Sequence, residues 1–255
     1  MDDIYLILAT LTFLGGFILA AASLRSESPR VKGLNIPVAV AGLIFQSLFL
    51  QGRGELHGRC PITNGAEVLV FVSWSIVIMY LALGKAFRLS LLGVFSMPMV
   101  FLFQLVAIIY LHFFDPGPRP PETLDPWLEL HAAMSLLAYG AYGLAGVAGV
   151  MYFVQDRQLK SHHPGRLFYS MPPIRYLADA LVRLLAIGTL LLTVGIVAAF
   201  FMKEAPDASH IISGAVWLAY VSLLVVHAIK RMPPKRLSIS SITAFAFALL
   251  TLSAL

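Results

Sequence analysis

The sequence predicts an all-α fold: a polytopic membrane helix bundle with about eight transmembrane helices and both termini on the outer side. Three observations predict it. Apolar residues fill 59% of the 255 positions and charged residues only 12%, half the charged share of an ordinary soluble domain. The apolar residues fall into eight runs of about 17–25 residues, the length a helix needs to cross roughly 30 Å of hydrocarbon. The breaks between the runs are short, hold nearly all the charge, Pro and Gly, and collect basic residues alternately.

The runs cover roughly 4–24, 34–51, 67–84, 89–113, 128–154, 178–202, 211–229 and 237–255. The first resembles a signal peptide in its Ala20-Ala21-Ala22. However, the chain opens Met1-Asp2-Asp3, acid where a signal peptide needs base, so the run reads as a retained helix. The third run opens at Glu67, which stands at capping-box spacing from Asn64. The fifth follows Asp125-Pro126, an N-cap and a first-turn proline. Within it His131, Ser135, Tyr139 and Tyr142 form one polar stripe, which in lipid should face protein. Gly140, Gly143, Gly146 and Gly149 recur every third residue, a seam for close helix approach. With no internal repeat and no low-complexity segment, residues 1–255 read as one domain.

Charge sets the orientation. Arg25, Arg30 and Lys32, then Lys85 and Arg88, then Arg157, Lys160, Arg166 and Arg175, then Lys230, Arg231, Lys235 and Arg236 occupy alternate breaks, thirteen of the eighteen Lys and Arg. The opposite breaks hold Arg53, Arg59, Arg119 and Lys203. By the positive-inside rule the basic loops are cytoplasmic. The net charge of +5 is therefore a topology signal, which excludes nucleic acid as the implied partner and leaves the lipid bilayer.

This orientation puts His57, His112, His131 and His210 at the outer side and His227 near the inner end of the seventh run, with His162 and His163 in a cytoplasmic loop. A neutral imidazole is a strong ligand for iron, and hydrocarbon is a poor place to leave one unpaired. Each histidine also reads as an interfacial residue bonded to water or headgroups. Cys60 is the only cysteine, so no intramolecular disulfide forms.

The segment Gly58-Arg-Cys-Pro-Ile-Thr-Asn-Gly-Ala-Glu67 before Ser73-Trp74 resembles a segment of the CcsA-like cytochrome c assembly proteins. Leu130-His131-Ala-Ala-Met-Ser-Leu-Leu-Ala-Tyr139 is similar to that family's helix opening with an outer-face haem-ligand histidine. Leu177-Ala-Asp179, Arg183, Gly188 and Leu192-Thr-Val-Gly-Ile196 match the next helix, and Val216-Trp217 through His227 the one after. The likeness runs over most of residues 50–232 in the family's order. The family's tryptophan-rich loop has no counterpart, because Lys203–His210 contains no Trp, and its second outer histidine has none up to Leu255. The pattern is closer to the short eight-helix HemX and YpjD type.

The resemblance implies a multi-pass protein of the bacterial inner membrane that binds or handles b-type haem (haem b) in cytochrome c biogenesis. Haem, other maturation membrane proteins and apocytochrome c are the implied partners. His131 is the expected outer ligand, His57 or His210 the opposite axial ligand, and His227 a ligand or relay nearer the cytoplasm. Arg53, Arg59 or Lys203 would pair with the propionates. The chain is not expected to be a complete enzyme alone; at most it is a component of a haem-attachment system. The other reading is a non-haem regulatory or ion-transport-associated subunit. One cysteine and no nucleophile–base motif give a hydrolytic or dithiol enzyme no support.

Overall fold

The computed structural model describes residues 2–25, 34–83, 92–114, 125–161, 168, 171–203 and 208–252. Arg30, Lys32, Lys85, Arg88, Arg119, His162, His163 and Arg166 lie outside the described residues. Among the described residues all regular structure is helical: α1 (Asp2–Arg25), α2 (Asn35–His57), α3 (Gly65–Leu83), α4 (Leu92–Phe114), α5 (Pro126–Lys160), α6 (Ile174–Ala199), α7 (Ala208–Lys230) and α8 (Pro234–Leu252). All eight expected runs are helices. Seven of them, all but α8, are long and apolar enough to span, so the chain is a multi-pass membrane protein. In α8 the first turn spends positions on Lys235 and Arg236 and the next on Ser238, Ser240 and Ser241, which lowers its hydropathy.

The helices form two compact units, α1–α4 and α5–α8. In the first, α1 packs on α2 and α4, and α3 packs on α4 and α2. Helix α2 ends at Gly58, whose φ of +64° is the left-handed conformation that glycine adopts without strain. That stop turns the chain into the short segment before α3.

In the second unit α5 is the centre, packed most extensively on α6 and then on α8. At 35 residues it is about 52 Å long, well beyond the hydrocarbon thickness, so its last turns carry Asp156, Arg157 and Lys160 past the apolar layer. The expected polar stripe faces protein, since His131, Ser135, Tyr139 and Tyr142 are all buried. The last two glycines of the seam face α8: Gly146 lies against Phe245 and Gly149 against Ser238 and Ile242. Leu190, Phe200, Ile211 and Ile229 by contrast stand exposed on the outside of this unit, as lipid-facing residues do.

Candidate functional site

The second unit builds a site at the end where α5 starts, α6 finishes and α7 starts. Asp125 caps α5, its Oδ1 accepting from the Trp127 amide at 3.0 Å, with Pro126 in the first turn. Its Oδ2 accepts from the Lys203 amide at 3.1 Å, which ties the chain beyond α6 to the head of α5. These amide donors, Lys203 foremost, hold the Asp125 carboxyl below its ordinary pKa. Trp127 and Phe201 pack ring to ring at 4.9 Å beside the cap.

His131 follows, only 5% exposed. Its Nδ1 lies 2.9 Å from the Gly195 carbonyl oxygen of α6. A carbonyl only accepts, so Nδ1 carries the proton and Nε2 the lone pair. Glycine at 195 lets α6 approach α5 closely here: a Cβ there would stand 3.0 Å from Ser135 Oγ and 3.2 Å from the His131 carbonyl oxygen. Ser135 Oγ is buried with no hydrogen-bond partner among the described residues. On the other side the His210 ring stacks on His131, centroids 5.0 Å apart and planes 19° from parallel. His210 Nε2 in turn lies 3.3 Å from Met202 Sδ.

Deeper along the same helices, Tyr142 of α5 and Tyr220 of α7 stack face to face, 3.6 Å apart at 6°. Tyr142 donates to Thr189 Oγ1 at 3.3 Å, and Trp217 Nε1 donates to Thr193 Oγ1 at 2.8 Å. His227, toward the end of α7, is half-buried, and its Nδ1 has no hydrogen-bond partner among the described residues.

The first unit holds a separate buried cluster. Glu67 Oε1 accepts from Arg53 Nε at 2.7 Å, from His57 Nε2 at 3.1 Å and from Asn64 Nδ2 at 3.1 Å. Its Oε2 accepts from the Thr63 amide and hydroxyl at 2.7 and 2.8 Å. Asn64 Oδ1 caps α3 by accepting from the Glu67 amide, so the expected capping spacing is real. Glu67 itself reaches one residue further back than the simple box requires, to Thr63. With Nε2–H donating to a carboxylate, His57 keeps its lone pair on Nδ1, which is buried and without a hydrogen-bond partner among the described residues.

Of the expected site residues, the structure brings together His131, His210 and, through Asp125, the backbone of Lys203. His57 and Arg53 sit in the Glu67 cluster of the other unit, Arg59 is half-buried in the segment after α2, and His112 is exposed at the end of α4. Gly195 and Met202 carry geometry that their letters did not announce, and Glu67 carries more than its capping-box spacing announced. For Glu67 a signal existed, an acid inside the first turn of an apolar run; for Met202 there was none.

A family of known proteins matches this chain over residues 62–254: the family described as cytochrome C assembly protein. Among curated relatives, HemX of Bacillus subtilis (strain 168) is 27% identical over 203 residues, covering 74% of this chain and 71% of that protein. The cytochrome c biogenesis protein CcsA of Porphyra purpurea is 24% identical over 152 residues, covering 56% of this chain and 48% of that protein. HemX of Brevibacillus brevis is 27% identical over 174 residues, covering 66% and 61%. The chain thus spans about half of that CcsA and rather more of the two HemX proteins. With well over half of its length, α3 through α8, inside the family match, the protein belongs to the cytochrome c assembly protein family.

Proposed function

We propose that this chain is a haem-binding and haem-handling protein of cytochrome c biogenesis in the bacterial inner membrane, acting as one domain over residues 1–255. The observation that carries the reading is the 2.9 Å bond from His131 Nδ1–H to the Gly195 carbonyl. Ligating histidines ordinarily spend their other ring nitrogen in this way, which orients the ring and raises the basicity of the ligand nitrogen. Family membership and the buried position of His131 point the same way.

The residues present would suit b-type haem through one imidazole ligand. His131 Nε2 is the ligand nitrogen, and His210 is the second imidazole within the same unit. Stacked face to face with centroids 5.0 Å apart, the two rings do not bracket a common point, so His210 would hold the same haem only outside this stack. His57 is the weaker second ligand, since its Nε2 is engaged by Glu67. His227 would serve a separate haem, or a relay, nearer the cytoplasm. Lys203 would be the cation for a propionate, since of the three it alone lies in the unit that holds His131, and Arg53 Nε is committed to Glu67. Bound haem would supply the iron centre and its redox chemistry, while the chain supplies ligation, orientation and an apolar wall. Apocytochrome c and other maturation membrane proteins are the proposed partners, and haem attachment by this chain alone is not part of the proposal.

Absorption spectra test it. Protein purified in mild detergent should show a Soret band, or gain one on haem addition, and the band should shift and weaken in His131→Ala. A wild-type protein that stays colourless after haem addition rejects the haem reading, and an unaltered spectrum in His131→Ala rejects the ligand assignment.

A further inference from the structure

We propose that the end of α7 and the stretch of α6 beside it hold the headgroup of an anionic phospholipid on Arg183, Lys230 and Arg231. Tyr176, Asp179, Arg183, Leu190, Val194 and Val197 of α6 recur at helical spacing and are all exposed. They form the lipid-facing stripe of that helix, since Gly188 and Gly195 on its other side pack against α5. Arg183 is the last charge before the uncharged stretch Leu184–Met202, which is about the length of one membrane crossing. A charged residue in that place is costly unless its head reaches the polar headgroup layer.

The antiparallel register brings the cations to one place. Thr193 Oγ1 of α6 accepts from Trp217 Nε1 of α7 at 2.8 Å, so Arg183, ten residues before the one, lies level with His227, ten residues after the other. Lys230 stands three residues further, about 4.5 Å nearer the helix end, and packed helix axes run about 8–10 Å apart. A phosphate set between two long cationic side chains fits that spacing. Arg183 has a contact of its own within the chain, but a guanidinium offers five N–H donors, so a phosphate fits beside it. Arg231 comes next and keeps a φ of +45°. A strained conformation held by a long charged residue, where glycine would sit without cost, marks a position kept for its side chain. Arg175 adds a fourth cation, against Asp179 as the one acid among the described residues of α6 and α7. The exposed Leu190, Val194 and Val225 continue this surface toward the membrane centre. An acyl chain gains contact there and a free phosphate gains nothing, so the anion is a lipid's.

The site takes no ligand from the haem reading, so its failure would leave that reading untouched. The test titrates the chain, purified in a neutral detergent, with phosphatidylglycerol or phosphatidylcholine and counts the lipid retained by native mass spectrometry. Phosphatidylglycerol is expected to stay bound at one per chain under conditions that strip phosphatidylcholine. Arg183→Gln and Arg231→Gly should each weaken its retention roughly fivefold, with helicity intact. Arg157→Gln, at the end of α5, is the control for general surface charge and should retain the lipid as the wild type does. Inorganic phosphate at millimolar concentration should not displace it. The proposal is overturned if phosphatidylcholine is retained equally, or if folded Arg183→Gln and Arg231→Gly bind like the wild type. Arg157→Gln weakening retention as much as they do overturns it as well. Displacement by inorganic phosphate assigns the site to a free anion and overturns the lipid.

Discussion

Arg53 and Glu67 meet inside the first unit, the Arg53 Nε–H donating to Glu67 Oε1 at 2.7 Å with both side chains withdrawn from solvent. The pair joins the last turns of α2 to the first turn of α3. Glu67 accepts from Arg53, His57, Asn64 and Thr63 at once, so every lone pair it buries is answered. Removing one member of such a pair strands the other charge away from water, at a cost of about 3–5 kcal/mol. Glu67→Ala is therefore expected to lose most of that in thermal or denaturant unfolding of the detergent-solubilised protein. The double change Arg53→Met with Glu67→Leu, which leaves no buried charge unpaired although it still frees the His57, Asn64 and Thr63 donors, should lose less than the single one. Equal or greater loss in the double variant would contradict the stranded-charge argument.

Gly188 lies under Tyr142: a Cβ there would stand 2.5 Å from the tyrosine ring. Tyr142 is fully buried and stacked on Tyr220, so it has no open direction in which to yield. Gly188→Ala should therefore cost about 1–3 kcal/mol through overpacking. It should also flatten the near-ultraviolet circular dichroism of the tyrosine pair. Gly214→Ala, where nothing lies within 4 Å of an added Cβ, is the matched control: it should leave the circular dichroism unchanged and stability the same or higher by up to about 1 kcal/mol.

Gly195→Ala attacks the proposed ligand through its support. The added carbon would press on Ser135 Oγ and on the His131 carbonyl oxygen, at 3.0 and 3.2 Å, so α6 must shift slightly from α5. The expected loss of stability is again about 1–3 kcal/mol. On the haem reading, the longer His131–Gly195 bond should also lower haem affinity by roughly 10–100-fold. A variant less stable but unchanged in haem titration would show that the carbonyl does not tune the ligand.

The helices, the Asp125-Pro126 cap, the inward polar stripe and the glycine seam were legible because each is set by residues within a few turns of one another. Even Asn64 and Glu67 announced their cap by spacing. What could not be read were contacts between distant positions. His131 meets Gly195 across 64 residues, and no periodicity marks that glycine as an acceptor's carrier. His57 looked equivalent to His210 as an outer histidine. Packing separates them, binding one ring nitrogen to Glu67 and laying the other ring on His131.

Asp125 links pH to the integrity of the site. Its folded carboxyl is held below the ordinary carboxylate value of about 4, chiefly by the Lys203 amide. A depressed folded pKa adds stability that is fully present above the unfolded value and disappears as pH falls through the folded one. Melting temperature should therefore decline on acidification below about pH 4 more steeply in the wild type than in Asp125→Asn. At neutral pH Asp125→Ala should melt earlier than the wild type, because both the cap and the tie to Lys203 are gone. Parallel acid profiles for wild type and Asp125→Asn would remove Asp125 from this role.

Arg231 follows the last residue of α7 with a φ of +45°, the left-handed conformation, although it is not a glycine. That conformation costs an ordinary L-residue about 1–2 kcal/mol and a glycine almost nothing. Glycine also loses more chain entropy on folding, which offsets about 0.4–1 kcal/mol of the relief. The difference leaves Arg231→Gly neutral to stabilising by about 1 kcal/mol, and Arg231→Asn near neutral. A β-branched side chain is a true outlier there, so Arg231→Val should destabilise by about 1 kcal/mol or more. The order Gly, Asn, Arg, Val in melting temperature is the expected result. Val as stable as Gly would mean that the turn between α7 and α8 does not hold this conformation.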